Sequence, residues 1–224
     1  GFHHSRHYTN TLREQIINKG IDFWVEKISA EINIGMAYNE NSYLIGDEVN
    51  YSAIKAQVLK IGLQKSYTDF ELFTLNVISS AYKNYPIAIK VHLDADCDQI
   101  EVSNRLIGLG FDPKSVVLAH VDRNINSEIF ENLTAKGFFL GFDTFIRANE
   151  SEVDKIYDAV LRFPDHVLIG GDLARSSRYL AYGGGPGLKY VAETVVKKVR
   201  AISSEDLLSK VLVDNPKRWL NSGI

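Results

Sequence analysis

The sequence predicts an α/β protein of the parallel (β/α) barrel class, on three observations. Apolar, β-rich runs alternate five times with amphipathic stretches. The first of those runs is not followed by the glycine fingerprint of a dinucleotide-binding sheet. A chain of 224 residues with 45% hydrophobic content can bury one large core, and that length falls within the range of barrels.

Taken in order, the part before Tyr51 offers a short helix over Thr11 to Ile17, a longer one over Ile21 to Ile34, and a loop through Asn39 to Asn50. It contains no convincing strand. The five runs then follow as Gln57 to Gly62, Ile87 to Leu93, Val116 to Val121, Phe138 to Asp143 and Val167 to Asp172. Their near-continuous apolar character is that of strands covered on both faces. Helical starts lie between them: Thr68 with Glu71 three residues on, and Ser151 with Asp154, both have the form of capping boxes. Each helix returns the chain for another parallel strand. Five strands do not close a barrel of this type. No repeat beyond the alternation, low-complexity tract or linker divides the chain, so residues 1–224 read as one domain.

Composition narrows the function classes. The 25 basic and 28 acidic residues give a formal charge of -3, which creates no field toward nucleic acid or anionic membrane. No stretch approaches the roughly 18 apolar residues of a spanning helix, and the amino terminus lacks a signal pattern. The expectation is a cytoplasmic protein acting on a small molecule, with a homo-oligomer left open. Cys97 is the only cysteine; beside Asp96 and Asp98 its thiol pKa should be raised, and it reads as structural.

Four polar residues fall at or near the carboxyl ends of the runs: Lys60, His92, His120 and Asp172. Alternation places Lys60 with Val58, His92 with Lys90, His120 with Leu118 and Asp172 with Gly170, so all four can end inward-facing rows at the barrel face where active sites collect. A single such histidine is more often a hydrogen-bonded core residue. Together, two imidazoles and a carboxylate suit zinc or a similar divalent ion. An ammonium has no lone pair for a metal, so Lys60 must be carbamylated, salt-bridged or a Schiff-base former.

The pieces AQVLKIG around Lys60, IKVHLD around His92, VVLAHVDRN around His120 and LIGGDLARSSRYLAYGGGPG around Asp172, closing with DNPKRWL, together resemble one family in order and spacing. It is the phosphotriesterase-like branch of the amidohydrolase superfamily, and the resemblance covers nearly the whole chain. It implies a (β/α)8 TIM-type barrel and a binuclear site of two divalent ions, zinc among them. Carbamylated Lys60 would bridge the ions, His92 and His120 would bind one, and Asp172 would bind the other and handle a proton. The family's first-strand His-x-His pair is missing. GFHHSRHY instead resembles the loop leaving the family's third strand, so the first two to three strands are absent from this chain, and a portion of a longer protein is expected. His3, His4 and His7 are weak candidates for replacement ligands, because a terminal loop seldom supplies a rigid surround.

The segment after Asp172 is closer to the family's sugar-lactone and phosphosugar-lactone hydrolases than to its organophosphate-degrading members. The implied reaction is attack of a metal-bridging hydroxide on a lactone carbonyl. Arg175, Arg178 and Tyr179, with Gly183 to Gly187 leading into a helix, are expected to bind a phosphate through guanidinium groups and backbone amides. His3, Arg6, Tyr8 and Arg147 would line the same face. Two other readings stand beside this one: a Schiff-base aldolase using Lys60 or Lys90, and a non-catalytic barrel remnant.

Overall fold

The computed structural model describes residues 9–32, 58–145, 150–173, 175–187 and 189–222. The chain divides into two compact units, one of residues 1–116 with 220–224 and one of residues 117–219.

The first unit opens with helix α1 (Asn10–Asn18), whose start is fixed by the Thr9 hydroxyl accepting from the Leu12 amide, and helix α2 (Ile21–Ile32). Trp24 on α2 donates its indole N–H to the Ile16 carbonyl at 2.8 Å, tying the two helices together. Strand β1 (Val58–Leu63) leads to helix α3 (Asp69–Asn84), and strand β2 (Ala88–Leu93) to helix α4 (Gln99–Gly108). The capping box expected at Thr68 forms: Thr68 Oγ1 accepts from the Glu71 amide and Glu71 Oε2 accepts from the Thr68 amide. Glu71 does more than cap, because its Oε1 also accepts the Gln64 amide at 2.9 Å, joining the helix start to the end of β1. Strands β1 and β2 pair in parallel with Lys60 opposite Lys90 and Gly62 opposite His92. Ile61 and Leu63 are buried on one face of β1, while Val58, Lys60 and Gly62 on the other are half-buried.

The second unit holds three parallel strands, β3 (Val116–Ala119), β4 (Phe139–Phe142) and β5 (Val167–Ile169). Helix α5 (Ser127–Lys136) joins β3 to β4. It starts on Asn126, whose side chain accepts two amides, and stops at Gly137, whose φ of 103° places it in the left-handed region. Helix α6 (Glu150–Arg162) joins β4 to β5, so Ser151 lies inside the helix and is not its cap. Phe130 from α5 is fully buried and meets Phe142 of β4 and Phe163 edge to face, at 5.7 and 6.0 Å between centroids. Helix α7 (Val196–Ile202) and short helices α8 (Glu205–Ser209) and α9 (Asn215–Leu220) complete the unit. Residues Val191–Val195 and Lys210–Asp214 form π-helical turns before α7 and α9. Asn215 is fully buried and donates to the carbonyls of Pro164 and Val167, and Arg218 donates to that of Asp165. The DNPKRWL motif is therefore a latch on the turn entering β5.

All five expected strands are present in an α/β arrangement with parallel pairing inside each unit, but three end earlier than alternation suggested. His120, Asp143 and Asp172 lie beyond the last paired residue of β3, β4 and β5. Among the described residues, no helix is long and apolar enough to cross a membrane.

Candidate active site

In the first unit, Lys60 is the third of six residues of β1 and so lies within the strand, not at its end. It shares a face with Lys90 and His92, because paired residues in register and residues two apart point the same way. His92 is 9% exposed, and its Nε2 lies 3.1 Å from Asp94 Oδ1, so the imidazole donates to a carboxylate two residues on. Cys97, close by, donates its thiol to the Leu63 carbonyl at 3.2 Å. Burial pushes that thiol up to about 11, with the charges of Asp94 and Asp96 adding to the shift. The structural reading of Cys97 accords with this.

The second unit gathers a denser cluster where β3, β4 and β5 end. His120 has φ 66° and Asp172 φ 39°, the two non-glycine residues with positive φ among those described. Histidine and aspartate tolerate that region better than most, but the conformation is still uncommon. It turns both side chains out of strand alternation, so the inward rows expected from Leu118 and Gly170 do not govern them. His120 Nδ1 sits 2.6 Å from Asp143 Oδ1, with the two side chains only 1% and 4% exposed. Asp172 Oδ2 is 3.9 Å from His120 Nδ1 and 3.9 Å from Arg123 Nη2. Asp122 is 6% exposed and accepts the Thr144 amide at 2.7 Å through Oδ2. Burial, and then the charge of Asp143, push its carboxyl up to about 6.

Asp94, Asp122, Arg123 and Asp143 were not singled out from sequence. Asp143 carried the same signal as the others, a polar residue closing an apolar run. Asp122 and Arg123 carried none, because a short 3-10 turn over Val121–Arg123 aims them and sequence alternation does not reach into it.

The donors suit a divalent ion chemically. A neutral imidazole that donates from one ring nitrogen bears its lone pair on the other, and metal-binding histidines are oriented by a carboxylate in this way. His120 has Nδ1 toward Asp143, and His92 has Nε2 toward Asp94. Among the described residues, no group of three or more His, Cys, Asp or Glu side chains is gathered to hold a metal by itself. The fit thus rests on donor chemistry and orientation.

Arg175, Arg178 and Tyr179 occupy a self-contained loop. Arg178 N–H bonds back to Arg175 and Tyr179 N–H to Ser176, while the amides of Gly183, Gly184 and Gly185 donate to the carbonyls of Leu180, Tyr179 and Ser177. The amides of Gly183, Gly184 and Gly185 are thus engaged within the loop itself. A Cβ at position 184 would lie 2.2 Å from the Ser177 carbonyl oxygen, so glycine is required there for close packing of backbone on backbone. The arginine side chains are what the loop offers an anion; Arg175 is exposed and Arg178 half-buried. His3, His4, Arg6, His7, Tyr8 and Arg147 lie outside the described residues.

Residues 43–220 match the family model described as the phosphotriesterase family. An N-acetyltaurine hydrolase of Salmo salar is 27% identical over 226 residues, covering 90% of this chain and 64% of that protein. A phospho-furanose lactonase of Mycoplasmopsis synoviae (strain 53) is 27% identical over 210 residues, covering 88% of this chain and 58% of that protein. The crystal structure of a lactonase from Listeria monocytogenes superposes with a TM-score of 0.77 at 26% identity, over 92% of this chain and 62% of that one. The chain therefore spans about 64% of the length of the N-acetyltaurine hydrolase it matches, and less of the two lactonases. With the matched region reaching from before β1 to the last helix, the chain belongs to the phosphotriesterase family.

Proposed function

We propose that the protein is a metal-dependent hydrolase that opens a lactone, with a phosphorylated sugar lactone as substrate, and that residues 1–224 are the larger part of its barrel domain. The observation that carries this reading is the buried His120–Asp143 pair with Asp172 beside it, at the carboxyl ends of three successive parallel strands. That is where barrel enzymes keep their reacting groups. Relatives named as lactonases support the reaction class.

Lys60, His92, His120 and Asp172 are the residues that would hold two divalent ions, zinc suiting these donors. Bound there, the ions would supply Lewis acidity for the carbonyl and a lowered water pKa. The Lys60–Lys90 register favours a carboxylated Lys60: two ammonium groups on directly paired positions repel, whereas a carbamate beside an ammonium attracts. Asp172 accepts a proton from the attacking water at its carboxylate and returns it to the leaving ring oxygen. Arg123 Nη2 lies 3.9 Å from Asp172 Oδ2, on the same side as His120. Arg175, Arg178, Tyr179 and His3 are the proposed substrate-binding residues, the arginines gripping a phosphate remote from the reacting carbonyl. One cysteine in 224 residues is in keeping with a cytoplasmic location.

A second reading is favoured by the N-acetyltaurine hydrolases, whose named substrate joins an amide to a sulfonate. The same arrangement would serve it, with the arginines on the sulfonate and the amide in place of the lactone. The aldolase reading has the Lys60–Lys90 register in its favour but leaves His120, Asp143 and Asp172 without a shared task.

The test is hydrolysis by the full-length protein of a phosphorylated sugar lactone, its unphosphorylated counterpart and N-acetyltaurine. Faster turnover of the phosphorylated lactone, lost in Arg175→Ala or Arg178→Ala far more than for the plain lactone, is the expected result. Preference for N-acetyltaurine establishes the second reading, and activity on none of the three refutes both.

A further inference from the structure

We propose that Asp122 is a positioning residue that sets the orientation of the His120 imidazole, acting through the Asp143–Thr144 peptide. The proposal rests on the reading of His120 as a site residue. His120 is followed at once by the Val121–Arg123 turn, which carries Asp122 inward. Asp122 Oδ2 accepts the Thr144 amide at 2.7 Å, and the preceding residue, Asp143, meets His120 Nδ1 at 2.6 Å.

The path His120, Val121, Asp122, Thr144, Asp143 and back to His120 is thus a closed circuit made of two short stretches of chain and two hydrogen bonds. A side chain in such a circuit cannot rotate without breaking one of its bonds. Opening the Asp122–Thr144 contact removes one of the bonds that fix the strand end carrying Asp143.

Burying a carboxylate for this task is costly, and here the cost is visible. Among the described residues Asp122 Oδ1 is buried with no hydrogen-bond partner, and the charge of Asp143 adds to the cost. A backbone amide in a loop could have been satisfied by water. A buried side-chain oxygen that accepts it instead ties the strand end directly to the turn that follows His120. The same turn sends Arg123 to Asp172, so one 3-10 turn braces the ends of β4 and β5 against the end of β3.

The experiment uses proton NMR of the His120 Nδ1–H, assigned by its loss in His120→Gln, together with kinetics. A buried imidazole N–H 2.6 Å from a carboxylate oxygen resonates far downfield and exchanges slowly. In Asp122→Ala this resonance should move upfield or broaden, and kcat should fall about 10- to 100-fold with KM changed by less than about threefold, the range seen when an orienting partner is lost. Asp122→Asn, whose side-chain oxygen accepts the same amide, should restore the resonance and bring kcat to within about threefold, because geometry and not charge is required. Arg218→Ala, at the opposite end of the strands, should lower the unfolding midpoint and leave the resonance in place.

An unmoved resonance in Asp122→Ala overturns the proposal. So does damage by Asp122→Asn equal to that by alanine, loss of the resonance in Arg218→Ala, or its absence from the unmodified protein. If the resonance responds as expected while no lactone or acyl-aminosulfonate is hydrolysed, the positioning role stands and the functional reading falls.

Discussion

The His120–Asp143 contact should be energetically strong, and a double-mutant cycle measures it. The two side chains are 1% and 4% exposed and 2.6 Å apart, so neither solvent screening nor side-chain wandering dilutes the bond. A hydrogen bond to a charged group is worth about 1.5–3 kcal/mol in proteins, against about 0.2–1 for an exposed ion pair. Burial of both partners at this separation places the coupling near the middle of that range, about 2 kcal/mol. The perturbations are Asp143→Ala, His120→Ala and the double variant, each unfolded in urea and compared by linear extrapolation. Asp143→Asn should cost about half as much as Asp143→Ala, since its amide oxygen accepts the bond without charge. A coupling below about 0.5 kcal/mol, the level of a surface pair, would refute the reasoning.

Stability should also respond to the Asp122 carboxyl. Its folded pKa of about 6 lies above the ordinary 3.8, so the folded state holds the proton more tightly and its contribution is lost as pH rises from about 4 to 6. Asp122→Asn lacks that titration. Its stability relative to the unmodified protein, followed by urea unfolding across that window, should therefore improve by up to about 3 kcal/mol; a flat difference would contradict it. Cys97, buried with its thiol pushed up to about 11, should resist alkylation by iodoacetamide at pH 8 in the folded protein and react on unfolding, and rapid labelling without unfolding would refute its assigned environment.

Local physics wrote much of the fold into the sequence. Continuous apolar runs become buried strands because parallel strands are covered on both faces, and Thr68 with Glu71 marks a helix start because the two side chains satisfy each other's exposed amides. Strand alternation correctly placed Lys60, Lys90 and His92 on one face, since β1 and β2 stay regular through those positions. The same rule failed for His120 and Asp172, where the backbone turns left-handed just past the last strand bond.

What the sequence by itself determined is the order of β/α units, the strand ends where polar residues collect, and the family resemblance those ends carry. Tertiary structure alone decided which groups meet there: Asp143 on His120, Asp122 on the Thr144 amide, Arg123 toward Asp172, and the Gly183, Gly184 and Gly185 amides turned to their own loop. The physical reason is range. Periodicity and capping act between residues three or four apart, whereas the His120–Asp143 and Asp122–Thr144 bonds span 23 and 22 residues and exist only once α5 has brought β4 alongside β3.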